Sequence, residues 1–147
     1  MSDRTVFSMR AARGTLNALE EEARRYRVAP RTLAETILDE GIRMRRHPGI
    51  VFVDRAGGRV AVLAAHPRQA VWLIVLTVRG SRSHASAATQ LSIDVSSVER
   101  ALAYATEYPG EIEAAIQANE EAFERAKRLY PSALTSGRRP RRAAPPR

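Results

Sequence analysis

A chain of 147 residues has room for one domain or two very small ones. Its 44% hydrophobic residues suit an ordinary soluble core, its 5% aromatics are too few for base stacking to be a main binding mode, and its lack of cysteine excludes disulfides and thiolate chemistry. The net charge of +8 is uneven: residues 1–46 hold ten arginines against seven acids, 47–130 hold equal numbers of basic and acidic residues, and 131–147 hold five arginines and no acid. Basic ends attract nucleic acid by releasing counterions, whatever its sequence. A solvated tail without a partner is the plain alternative. No charged-then-apolar leader opens the chain, and the longest apolar run, 70–78, is too short to span a bilayer. The expectation is a cytoplasmic protein.

The stretch Arg4-Thr-Val-Phe-Ser-Met-Arg10 reads as a strand. Thr5, Phe7, Met9 and Ala11 alternate with Arg4, Val6, Ser8 and Arg10, so one face is largely apolar and the other polar and charged. The next residues turn straight into helix, so no hairpin partner follows. The strand either pairs with its copy in a second chain or joins a sheet built from later residues. From Arg13 to about Arg27, Leu16, Leu19, Ala23 and Tyr26 make one apolar face. The order Glu20–Arg24 and Glu21–Arg25 favours ion pairs four apart. Val28-Ala29-Pro30 is a turn, and a second helix runs from Pro30 to about Arg46 with Leu33, Ile37, Leu38 and Ile42 as its stripe.

Strand, helix, short turn and helix over residues 4–46 resemble a ribbon-helix-helix domain of the CopG, MetJ and Arc type. The resemblance rests on Val6-Phe7-Ser8-Met9-Arg10, the Leu16/Leu19/Ala23 stripe, the turn at 28–30 and Leu33/Ile37/Leu38. It implies an obligate homodimer whose paired strands enter the major groove of double-stranded DNA, with Val6, Ser8 and Arg10 reading bases. It also implies a phosphate held at the start of the second helix, at Ala29, Arg31 and Thr32. The chain departs from the pattern in three places. Ala29 cannot cap the helix, Pro30 removes one N–H donor, and Ala12 stands where proline is common. The first two weaken the phosphate clamp.

His47-Pro-Gly49 breaks the second helix. Residues 50–54 and 59–64 read as β-branched strands around the turn Arg55-Ala-Gly-Gly58. A core helix is expected from Pro67, apolar nearly all round, with Trp72 as its anchor. Ser83 is a plausible cap for a helix from His84 to about Leu91. After a turn at Ser92-Ile93, Asp94 caps a helix from Val95 to Glu107. This pair resembles a helix-turn-helix, displaying Ser96, Ser97, Glu99 and Arg100 while Val98, Leu102 and Ala105 pack inside. Residues 109–130 read as a long exposed helix of mixed charge. From His47 to Tyr108 the chain resembles a small bacterial family of unknown-function domains, carried by Arg59, the Ser96/Val98 helix start and Ala101-Leu-Ala-Tyr104. That resemblance implies the antitoxin half of a toxin–antitoxin pair with a PIN-like nuclease. The family's Gly-Thr-Arg segment is not intact here.

From Pro131 the composition turns to Pro, Ser, Gly, Arg and Ala, a disordered basic tail by expectation. His47, His66 and His84 have neither ligand spacing nor cysteine partners, and no phosphate loop or nucleophile motif is present. No catalytic activity, cofactor or metal is expected. The fold expected is mainly α with short β: a ribbon-helix-helix domain over 1–46, a β-hairpin and helix-turn-helix-like bundle over 47–130, and the tail over 131–147. The function expected is a dimeric DNA-binding repressor acting as an antitoxin. A stand-alone regulator and a protein-interaction module without specific DNA binding stay open.

Overall fold

Helix α1 (Arg13–Tyr26) forms on the Leu16, Leu19, Ala23 periodicity and ends where Arg27 takes the left-handed conformation at φ 55°. Its last carbonyls are then satisfied in a C-terminal cap, the Val28 N–H donating to Ala23 O at 3.0 Å. Helix α2 (Pro30–Arg46) opens on Pro30, where a missing N–H has no intrahelical partner to lose. The expected four-apart ion pairs are replaced on α1. Arg25 meets Glu22 at 2.9 Å, and the Arg24 guanidinium donates to the Glu20 carbonyl at 3.2 Å.

The computed structural model describes residues 5–131; Arg4 and nearly all of the basic tail lie outside them. The chain divides into two compact units at Pro48/Gly49. In the first, α1 and α2 pack on each other, yet Ala23 is the one buried residue among those described. Residues 5–12 have no regular structure, so among the described residues the strand expected over 4–10 is not formed.

In the second unit, β1 (Ile50–Arg55) and β2 (Gly58–Leu63) form a two-stranded antiparallel sheet in register from Ile50↔Leu63 to Arg55↔Gly58. Gly58, at φ 117°, follows the two-residue turn in a conformation that favours glycine. Helix α3 (Val71–Gly80) begins four residues later than Pro67, where the sequence places it. Ala70 is instead held as a bridge to Val62, and the Leu63 N–H donates to Gln69 O at 3.2 Å. Helices α4 (His84–Leu91) and α5 (Val95–Glu107) meet at Ser92, left-handed at φ 55°, and α6 (Pro109–Leu129) follows Tyr108. The described residues are thus mainly helical with a small sheet, and none of their helices is long and apolar enough to cross a membrane.

One core unites this unit: Ile50 and Leu63 from the sheet, Val71, Ile74 and Val75 from α3, Val98 and Ala101 from α5, Ile112 and Ile116 from α6. Tyr104 sits among them with no exposed surface, its ring edge-on to Phe52 and its hydroxyl donating to Glu111 Oε1 at 2.9 Å. Trp72, the expected anchor, lies half-buried at the edge.

Both caps are made by side chains. Ser83 Oγ accepts from the Ser86 N–H at 3.1 Å, and Asp94 Oδ1 accepts from the Ser97 N–H at 2.8 Å. Asp94 also accepts the hydroxyls of Ser96 and Ser97, which with that N–H hold its carboxyl well below the usual carboxylate range. Ser97 is therefore turned inward and buried, not displayed on α5. A depressed folded-state pKa adds stability above the unfolded value of 3.8 and loses it as pH falls through the folded one. Asp94→Ala should melt below wild type by a constant interval above about pH 5. In thermal melts that interval should shrink below about pH 4. A pH-independent interval would show that the charge is not what caps α5.

Candidate nucleic-acid interface

Val6, Ser8 and Arg10 all stand exposed on the segment before α1. So do the apolar residues that alternate with them: Phe7 is 76% exposed and Met9 64%. Thr5, Val6, Phe7 and Met9 lie beside the first turns of α2, forming with Arg31, Ala34, Glu35 and Leu38 an open groove of about 670 Å³. Val6 and Arg31 share this groove, whereas Ser8, Arg10, Ala29 and Thr32 do not line it.

The start of α2 provides the anion-binding elements that Pro30 leaves. Ala29 is extended (φ −66°, ψ 140°) and makes no side-chain cap. Arg31 and Thr32 fall in the first turn, where backbone N–H groups have no intrahelical acceptor and point along the positive end of the helix dipole. The Arg31 guanidinium meets Glu35 at 3.0 Å, and the Thr32 carbonyl accepts the Thr36 hydroxyl at 3.0 Å. An exposed pair such as Arg31–Glu35 is worth about 0–1 kcal/mol. A phosphate can therefore take Arg31 from it at small cost.

The second unit offers less to a phosphate backbone. Several of its arginines are engaged by their own chain. Arg55 donates to the Pro67 carbonyl at 2.6 Å, and Arg59 to Asp54 at 3.3 Å. Arg79 and Glu113 form a two-fingered pair that raises the arginine pKa and lowers the glutamate's. The Arg100 stem lies so near Gly49, at φ 94°, that an added Cβ would come within 3.3 Å of its Cδ. On α5 the exposed side chains Ser96, Glu99 and Arg100 mix both charges.

Sequence reasoning missed one further feature. Val75 and Val78 of α3, Leu102 and Ala105 of α5 and Ile112 of α6 line an open apolar groove beside the Arg79–Glu113 pair. Its only sequence signal was apolar residues in excess of one helix face, because the pair joins residues 34 apart. Among the described residues no three His, Asp or Glu side chains gather as a metal site. No protein-family model, no curated protein and no solved structure matches this chain.

Proposed function

We propose that this chain is a dimeric, sequence-specific DNA-binding repressor of the ribbon-helix-helix kind, the antitoxin partner of a PIN-like nuclease. The observation that carries the dimer is the first unit's lack of a core. Two helices of 14 and 17 residues bury Ala23, while Phe7, Met9, Ile37, Leu38 and Ile42 stay about half exposed or more. Helices this short are marginal in water without tertiary packing. Each such side chain gains roughly 1.5–3 kcal/mol on full burial, and a second copy of the same surface is a self-complementary cover. Pairing segment 5–10 with its copy would also supply the backbone partners that it lacks alone. In that ribbon, Arg10 bonds guanine O6/N7, Ser8 a neighbouring base edge, and Val6 a thymine methyl, while the Arg31 and Thr32 N–H groups clamp a phosphate.

The toxin partner is supported by the resemblance over residues 47–108 alone; a repressor without a toxin is the runner-up, selected if no nuclease is encoded beside it. Sedimentation at micromolar concentration should give about twice the chain mass. The protein should also bind its own promoter, in a salt-dependent way, more tightly than random DNA. A well-folded monomer would end the ribbon reading. Equal affinity for both DNAs would end the specific-repressor reading and leave an interaction module.

A further inference from the structure

Burial is shared unequally between the two units. Apart from Ala23, every buried residue among those described lies between Ile50 and Ile116. The core cluster, with the half-buried side chains packed on it, belongs to the second unit. The helices differ in the same direction. Neither α1 nor α2 has a side-chain cap or an acidic residue in its first turn, whereas Ser83 and Asp94 cap α4 and α5. At 14 and 17 residues, α1 and α2 are marginal in water unless their apolar faces are packed. Helix α2 also stops short of the boundary at Pro48/Gly49. The His47 N–H still donates to Arg43 O at 2.8 Å, but Pro48 has no N–H to give and Gly49 turns the chain at φ 94°. The second unit therefore carries its own core and its own caps, and α2 does not run into it.

We infer that the first unit folds only in the assembled pair, while the second stays folded in every single chain. This coupling rests on the dimer proposed above and concerns what happens when that dimer comes apart. Without a second copy nothing covers Ile37, Leu38 and Ile42, and α1 and α2 lose the packing that holds them. The proposed reading residues Val6, Ser8 and Arg10 and the phosphate clamp at Arg31 and Thr32 are lost with them. DNA binding then depends steeply on the amount of chain. Well below the dissociation constant, a tenfold fall in concentration lowers the dimer about a hundredfold. The second unit does not follow. Its core is complete in each chain, so any partner it holds is held in proportion to the number of chains. A repressor built this way leaves its promoter steeply as its level falls, while its second unit still works.

The chain's single tryptophan makes the two units separately visible. Trp72 lies in α3 against the second unit's core and reports on that unit, whereas circular dichroism sums every helix. Urea melts of the full chain, followed by both probes, are compared at concentrations tenfold apart, with sedimentation alongside. Circular dichroism should show an early step, the loss of α1 and α2. Its midpoint should fall by roughly 0.5–1 M urea for each tenfold dilution. The tryptophan midpoint should come later and stay fixed. Sedimentation should give two chains before the early step and one after it. Coincident steps on both probes, moving together with concentration, would overturn the separate folding of the units and leave the dimer standing. An early step that ignores concentration, with two chains throughout, would place the dimer contact in the second unit. That would overturn both the coupling and the ribbon. A one-chain mass at every concentration would overturn the dimer and the coupling with it.

Discussion

Met9→Ala should destabilise the first unit by about 2–5 kcal/mol, whereas Arg10→Ala should leave it folded and cost DNA affinity alone. The two residues are neighbours on a segment whose side chains alternate, so the ribbon reading assigns them opposite fates. Met9 is 64% exposed in the single chain, and under the proposed dimer a second copy would cover it in the groove beside α2. Its loss should therefore show as a melting temperature that depends more steeply on protein concentration. Arg10 loses no apolar contact on truncation. It should cost roughly 1–3 kcal/mol per base pair read, twice over in a symmetric dimer, and relax preference at one position in each half-site. Circular dichroism and promoter binding on both variants separate the causes. If Arg10→Ala unfolds the protein, or binds like wild type, the two faces of the segment have been assigned the wrong way round.

The second large effect is expected at Tyr104. Its ring is enclosed by Phe52, Tyr108 and the core residues of α3, α5 and α6, with no surface in water. Tyr104→Ala should cost about 3–5 kcal/mol, enough to unfold a small unit of ordinary stability. Tyr104→Phe keeps the ring and gives up the bond to Glu111, whose exposed carboxylate water can serve instead. It should cost only about 0.5–1.5 kcal/mol. Urea melts measure both. Promoter binding distinguishes the two units: the proposal puts base readout at Val6, Ser8 and Arg10 and the phosphate at Ala29, Arg31 and Thr32, so Tyr104→Ala should retain affinity while residues 13–46 stay helical. Loss of binding with those helices intact would move DNA recognition into the second unit.

Local patterns were enough for most elements. The three-and-four spacing in 13–26 and 30–46 marks α1 and α2, and β-branched runs around Ala56-Gly57 mark the hairpin. Ser83 and Asp94 were legible as caps because a cap is satisfied three residues away. What failed depended on residues distant in sequence. The late start of α3 follows from the bridge between Ala70 and Val62, which no window around Pro67 contains. The apolar groove and the Arg79–Glu113 pair exist only once α3 and α6 are packed together. Nothing local to Tyr104 marks it as the centre of the core; packing does. Ser97 read as displayed because its neighbours on α5 are polar, but the Asp94 carboxylate, satisfied through its hydroxyl and N–H, turns it inward. The segment before α1 is the limiting case. Its alternation is plain in the sequence, yet a strand is made by hydrogen bonds to a partner, and the described residues of the chain supply none. Side-chain periodicity, a property of neighbours, was determined by the sequence alone. Burial, pairing and the uncovered face of α2, which are properties of distance, were decided by tertiary structure.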